Sequence, residues 1–241
     1  MATYFCSDPH AFHGNIMKYC RRTAFMTESD LATFLDVEAR GPEALRAFRL
    51  SRESIDTMNQ ALVANVNAVV APEDTLWCLG DWCFGKSREY LANARWFRDQ
   101  IHCRTVNIVW GNHDDRVIRD LFDRAVDQIE IEVDGVPMTL NHYPMLTWNG
   151  QHRATAAQPN VHLYGHVHAI YQRDPSALPI RDADAWAALD VGFDGHDYQV
   201  WSVPQIMDAL RTRLIAFESL KRSRNQFDPF RGRGHVGVAT V

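Results

Sequence analysis

Along the first 220 residues, short apolar runs alternate with longer stretches whose apolar positions recur every three to four residues. Thr3–Ser7 predicts a strand that stops at Asp8-Pro9. Ile55, Met58, Leu62, Val66 and Val69 share one helical face, so Ser51–Val70 is predicted as a helix, with Ser51 as N-cap and Pro72 beyond its end. Thr75–Leu79 predicts a second strand, closed by Gly80-Asp81. Ser87–Ile101 returns to helix, with Tyr90, Ala94, Phe97 and Ile101 on one face, and Thr105–Trp110 predicts a third strand running into Gly111-Asn112-His113-Asp114. The period then drops to two. Ile129, Ile131 and Val133 alternate with acids, Asp134-Gly135 makes a tight turn, and Val136, Met138 and Leu140 return as a hairpin ending at Asn141-His142. Val161–Tyr164 and Ala187–Val191 read as further strands, the first ending at Gly165-His166-Val167-His168. Ile206, Leu210, Leu214 and Phe217 mark a closing helix over Pro204–Leu220. Residues 23–50 form a helical insertion broken at Gly41-Pro42. No internal repeat is visible, and the mixture predicts a layered α/β domain over residues 1–220.

Composition changes this picture little. Of 241 residues 46% are apolar and 23% charged, ordinary globular proportions that exclude collagen, low-complexity disorder and a coiled coil. No apolar run reaches the roughly 18–20 residues that span a bilayer, and the first residues lack a basic and apolar leader, so the expectation is a cytoplasmic protein without membrane contact. Five cysteines without CxxC spacing indicate neither a disulfide framework nor a thiolate zinc site. The net charge of −5 is uneven: residues 221–241, rich in Gly and Arg, carry an excess of four positive charges, and the rest carries −9. That tail is read as an appendage, with a nucleic-acid-touching arm as the alternative.

The candidate chemistry lies at the strand ends. Five of them run into loops presenting Asp8 and His10, Asp81, Asn112 and His113, His142, and His166 and His168. In layered α/β folds the carboxyl ends of strands share an edge where ligands bind, so groups spread over 160 residues can converge. Imidazole and carboxylate suit divalent Zn, Mn, Fe or Ni. So many candidate ligands exceed what one ion takes, whereas a carboxylate-bridged pair roughly 3.5–4 Å apart would use seven of them.

Taken in order, Asp8-Pro9-His10, Gly80-Asp81, Gly111-Asn112-His113-Asp114, the His142 strand end and Gly165-His166-Val167-His168 resemble the five signatures of the calcineurin-like metallophosphoesterases. Ser7-Asp8-Pro9-His10-Ala11-Phe12-His13-Gly14-Asn15-Ile16, Asn141-His142-Tyr143-Pro144 and Trp148-Asn149-Gly150 are similar to a group of small bacterial and phage phosphoesterases. The resemblance spans about residues 3–215 and implies a four-layer αββα sandwich of two mixed β-sheets flanked by helices. It implies two divalent or trivalent transition-metal ions (Mn, Fe, Zn or Ni). Asp8, His10, Asp81 and His168 would hold one, and Asp81, Asn112, His142 and His166 the other. His113 matches the histidine that meets the phosphate or protonates the leaving oxygen, Asp114 would orient it, and Asn112 and His13 are further substrate contacts.

The implied activity is metal-dependent phosphoester hydrolysis by in-line attack of a metal-bridging hydroxide, with no phosphoenzyme. A small ester is preferred over polymeric nucleic acid, which the acidic core would repel. A phosphodiester is the preferred substrate, because an accessible two-metal site with a leaving-group histidine serves diesters readily, and a phosphomonoester (nucleotide or phosphoprotein) is the alternative. A nuclease using the basic tail and a non-catalytic scaffold are the further alternatives, and a homo-oligomer is allowed. Asn15 is read as a helix cap, Cys6, Cys78 and Cys83 as small core residues, and Trp82 and Trp148 as core residues or cleft walls. His102, His152, His162, His196 and His235 have no motif around them and default to surface or supporting roles.

Overall fold

The computed structural model describes residues 1–86, 88–178 and 185–226. In chain order the strands are β1 (Thr3–Cys6), β2 (Thr75–Cys78), β3 (Thr105–Val109), β4 (Arg124–Val126), β5 (Gln128–Val133), β6 (Val136–Asn141), β7 (Val161–Tyr164), β8 (Ala188–Asp190) and β9 (Trp201–Ser202). The helices are α1 (Gly14–Tyr19), α2 (Glu28–Ala39), α3 (Pro42–Ala47), α4 (Arg52–Val69), α5 (Arg88–Gln100), α6 (Ile170–Arg173) and α7 (Val203–Gln226). Two mixed sheets result. The first runs β4-β3-β2-β1-β9, parallel except for β9; the second runs β5-β6-β7-β8, with an antiparallel hairpin followed by two parallel pairings.

The period-2 geometry of the strands explains the layering. Cys6, Leu76, Cys78, Val106 and Ile108 pack with Met58, Leu62 and Val66 of α4 and with Tyr90, Ala94 and Phe97 of α5. The alternate residues Phe5, Trp77, Leu79 and Val109 pack instead with Met138, Leu140, Val161 and Leu163 of the second sheet. Ile206, Leu210 and Leu214 of α7 join that second core. Burying a side chain such as Leu62 completely contributes about 1.5–3 kcal/mol, so the first core fixes α4 and α5 to the first sheet and the second holds the two sheets face to face.

Most predicted elements are present. Ser51 caps α4, its hydroxyl accepting from the Ser54 N–H at 3.2 Å. The insertion breaks where expected: α2 ends at Ala39, Gly41 takes φ 103°, and Pro42 opens α3. It is tied down by Asp30, whose carboxylate accepts from Ser51 and Ser54, and by Lys18, whose ammonium donates to the Leu45 and Phe48 carbonyls. Three details differ. The edge strands β4 and β9 escape the periodicity because three and two residues are too short to show alternation. Asn15 caps nothing; it sits inside α1, whose N-cap position is His13. The last helix runs to Gln226, so the first six residues of the basic tail are helical, with Lys221 donating to the His152 and Ala154 carbonyls. The remaining tail residues, His235 among them, lie outside the described residues.

Candidate metal centre

The carboxyl ends of β1, β2 and β3 meet those of β6, β7 and β8 on one edge of the sandwich. Ser7, just past β1, bridges in parallel to Gly192, just past β8, and so joins the two sheets at that edge. Neighbouring loops are laced together: Asp8 N–H donates to the Gly80 carbonyl, His10 N–H to Asp81, and Gly165 N–H to His142. Two glycines permit the approach. A Cβ on Gly111 would strike the Asp81 carboxylate, and one on Gly165 would strike Ser7 and the Asp8 carboxylate. Five of the seven expected ligands, Asp8, His10, Asp81, His166 and His168, have φ between 48° and 72°. Left-handed backbone at non-glycine residues costs of order 1–3 kcal/mol each and persists where the surroundings impose it for a function.

All seven expected ligands converge. His10 Nε2 lies 3.8 Å from Asp8 Oδ1 and 3.4 Å from Asp81 Oδ2, and His168 Nε2 lies 3.9 Å from Asp8 Oδ1. Across Asp81, His142 Nε2 is 3.6 Å from the same Oδ2. His142 Nε2 and His166 Nδ1 both face Asn112 Oδ1, at 3.0 and 2.9 Å. Asp81 Oδ2 therefore stands between an inner group (Asp8, His10, His168) and an outer group (Asn112, His142, His166). The outer oxygens of these carboxylates are spoken for, because Asp81 Oδ1 accepts from His113 N–H and Asp8 Oδ2 from His166 N–H, each at 2.9 Å.

These residues fit divalent cations. Asp8 Oδ1 and His10 Nε2 are buried polar atoms with no hydrogen-bond partner, a costly condition that a cation between them relieves. The donors also hold the correct tautomer. His142 Nδ1 donates to the Leu79 carbonyl at 2.7 Å and His168 Nδ1 to Asp194 Oδ2 at 2.7 Å, leaving each Nε2 to face the carboxylates. Burial, then the charge of Asp8, raises the Asp81 pKa, and burial, then the nearby cationic groups, depresses that of His10. Burial opposes a charge on His168 as well, but the Asp194 hydrogen bond and Asp8 outweigh it and lift its pKa to about 11. The field that favours a proton there favours a cation.

His113 is exposed, its ring centroid 5.4 Å from that of His10, and its ring makes no hydrogen bond among the described residues. Asp114 departs from the expected role. Its carboxylate accepts from the backbone N–H groups of Asp81, Trp82 and Gly111 at 2.8–2.9 Å instead of from the His113 ring. Burial pushes its pKa up despite those donors. It fixes the two loops that carry Asp81 and Asn112, a task its place in the Gly111–Asp114 turn suits. His13 stacks flat on Phe84, centroids 4.0 Å apart, with Nδ1 3.3 Å from His10 Nδ1, and burial with His113 nearby lowers its pKa to about 4.

Neither tryptophan walls a cleft. Trp82 is fully buried against Phe97 and Phe122, and Trp148 is buried with its indole donating to Asn160. Cys6, Cys78 and Cys83 are buried, as expected. His162 is buried rather than superficial: its ring meets the Thr139 carbonyl and the backbone of Tyr143 and Met145, under the segment that follows His142. Sequence reasoning missed Arg22 and Asp194. Asp194 follows β8 by four residues, the same strand-end signal that marked the other five loops; Arg22, in Cys20-Arg21-Arg22, reads as surface charge.

Comparison with known proteins agrees with this edge. The profile of the calcineurin-like phosphoesterase superfamily domain matches residues 56–178, just over half of the chain, from α4 past His168. The chain belongs to that superfamily and is a metal-dependent phosphoesterase; Asp8 and His10, before the matched segment, join the site by geometry. A protein of unknown function, AQ665 from Aquifex aeolicus, superposes with a TM-score of 0.52 at 20% identity, over 86% of this chain and 98% of that one, and shares the fold. Yfce, a phosphoesterase from E. coli, aligns at 17% identity over 70% of each chain with a TM-score of 0.32, too loose to bear on this one. No curated protein matches the chain. Among the described residues no helix is long and apolar enough to cross a membrane.

Proposed function

We propose that the protein is a dinuclear phosphodiesterase acting on small phosphodiesters. The observation that carries this reading is the Asp81 carboxylate, with one oxygen within 3.4–3.6 Å of an imidazole nitrogen from each of the two groups. When bound, a pair of divalent ions would supply hydroxide near neutral pH and offset charge building on the phosphoryl oxygens. Asp8, His10, Asp81 and His168 would hold one ion, and Asp81, Asn112, His142 and His166 the other. Asn112 contributes a neutral oxygen, which limits negative charge facing an anionic substrate. His113, exposed and anchored through its backbone N–H to Asp81, is free to give a proton to the departing oxygen. His13 borders the same space from the Phe84 side. The acidic balance of residues 1–220 favours small esters over polymeric nucleic acid.

The test is metal content by elemental analysis together with turnover of bis(p-nitrophenyl) phosphate against p-nitrophenyl phosphate. Two ions per chain and faster diester turnover are expected. One ion or none overturns the dinuclear reading, and preference for the monoester replaces the diesterase by a phosphatase at the same site.

A further inference from the structure

Arg22 is an arginine with no exposed side-chain surface, in a loop that no metal ligand occupies. Its guanidinium makes four polar contacts at 2.8 Å. Nε and Nη2 fork onto the two oxygens of Asp194, Nη1 donates to the Pro9 carbonyl, and Nη2 donates also to the Asp8 carbonyl. Asp194 is equally buried and accepts from His168 Nδ1 through Oδ2. One planar cation therefore grips the backbone around Asp8 and, through one carboxylate, the ring of His168. Both residues belong to the inner group; neither Arg22 nor Asp194 bonds to Asn112, His142 or His166 among the described residues.

We propose that Arg22 and Asp194 are positioning residues for the inner metal-binding group alone. Resting on the dinuclear reading above, the inference adds which ion the pair serves. The strap holds Asp8 in its left-handed conformation (φ 55°) and fixes the His168 tautomer, so the inner ligands stay poised with unpaired atoms facing one another. Lysine would not substitute, because a point charge with three donors cannot span a carboxylate and two carbonyls in one plane. A partner hydrogen-bonded to a ligating histidine typically governs metal affinity by about 10–100-fold.

The experiment titrates metal-free protein with Mn2+, following bound ion by electron paramagnetic resonance. His166→Ala isolates the inner group and His10→Ala the outer one. Adding Asp194→Asn to His166→Ala is expected to weaken the remaining ion on the order of 10–100-fold. Adding it to His10→Ala is expected to leave affinity unchanged, and Arg22→Lys is expected to follow Asp194→Asn. In the otherwise unaltered protein, Asp194→Asn should convert the coupled two-ion signal into that of an isolated ion. Equal weakening in both backgrounds, or in neither, overturns the inference. An unaltered protein that binds no ion pair fails the dinuclear reading itself. Should Asp194→Asn prevent folding, the pair Arg22→Met/Asp194→Asn, which leaves no uncompensated buried charge, carries the same expectation.

Discussion

Asp8 and His10 are sealed from solvent, whereas Asn112 and His166, on the far side of Asp81, are exposed. The inner atoms stand 3.4–3.9 Å apart with hydrogen-bonding capacity unspent, while the outer atoms already meet at 2.9–3.0 Å around Asn112 Oδ1. The inner group is preorganised, with Asp8 Oδ1 and His10 Nε2 already desolvated and unpaired. The outer group must exchange a hydrogen-bonded arrangement for a cation. An ion held by the inner group is therefore expected to bind more tightly and to exchange more slowly than its neighbour.

Removing the element both groups share gives the largest effect. Asp81→Ala is expected to abolish binding of both ions and lower kcat/KM on the order of a thousand-fold, about 4 kcal/mol of barrier. Elemental analysis beside diester turnover checks it; retention of one tight ion would show that the groups are independent and that Asp81 does not join them. His113→Ala probes the opposite case, a residue beside both groups that belongs to neither. Its expected loss is about a hundred-fold in kcat with both ions retained, growing as the leaving group becomes more basic. A loss independent of the leaving group would reduce His113 to electrostatics.

The two groups were also unequally legible in the sequence. Asp8, Asp81, Asn112, His166 and His168 follow apolar runs that end abruptly, because a buried parallel strand must be continuous and apolar and its ligand-bearing loop cannot be, and His142 follows the alternating second strand of the hairpin. That rule shows which residues reach the edge. It does not show what holds them there. Arg22 and Asp194 act through a contact spanning 172 residues, and nothing in local periodicity encodes it. Adjacency to His113 in sequence suggests a side-chain contact for Asp114, whereas the turn aims its carboxylate at backbone N–H groups. The short strands β4 and β9 hold too few residues to show alternation, and no motif decides between the surface and the supporting role for His162.

His162 offers a way to loosen one side selectively. It underlies the segment after His142, which belongs to the outer group, and burial lowers its pKa to about 4. With the unfolded value near 6.5, the unfolded chain binds a proton that the folded chain refuses between those two values. Stability is therefore full above about pH 6.5 and lost as pH falls towards 4, by up to about 3 kcal/mol from this group. Thermal unfolding of metal-free protein between pH 7 and 4 measures the slope. His162→Gln is expected to flatten it, and an unchanged slope would mean that other groups carry the acid sensitivity.

The smallest expected effect concerns His13, which touches the inner group from outside through His10 and stacks on Phe84 with its other contacts. It belongs to neither ligand group, so its removal separates substrate contact from metal support. A neutral imidazole contributes one ordinary hydrogen bond to a phosphate oxygen, about 0.5–1.5 kcal/mol, or roughly a two- to tenfold rise in KM. His13→Gln retains a donor and is expected to stay near the unaltered KM, whereas His13→Phe keeps the stack on Phe84 and is expected to show the full rise with kcat and metal content intact. Loss of bound ion in His13→Phe would place the residue with the inner group's supports, alongside Asp194, rather than with the substrate.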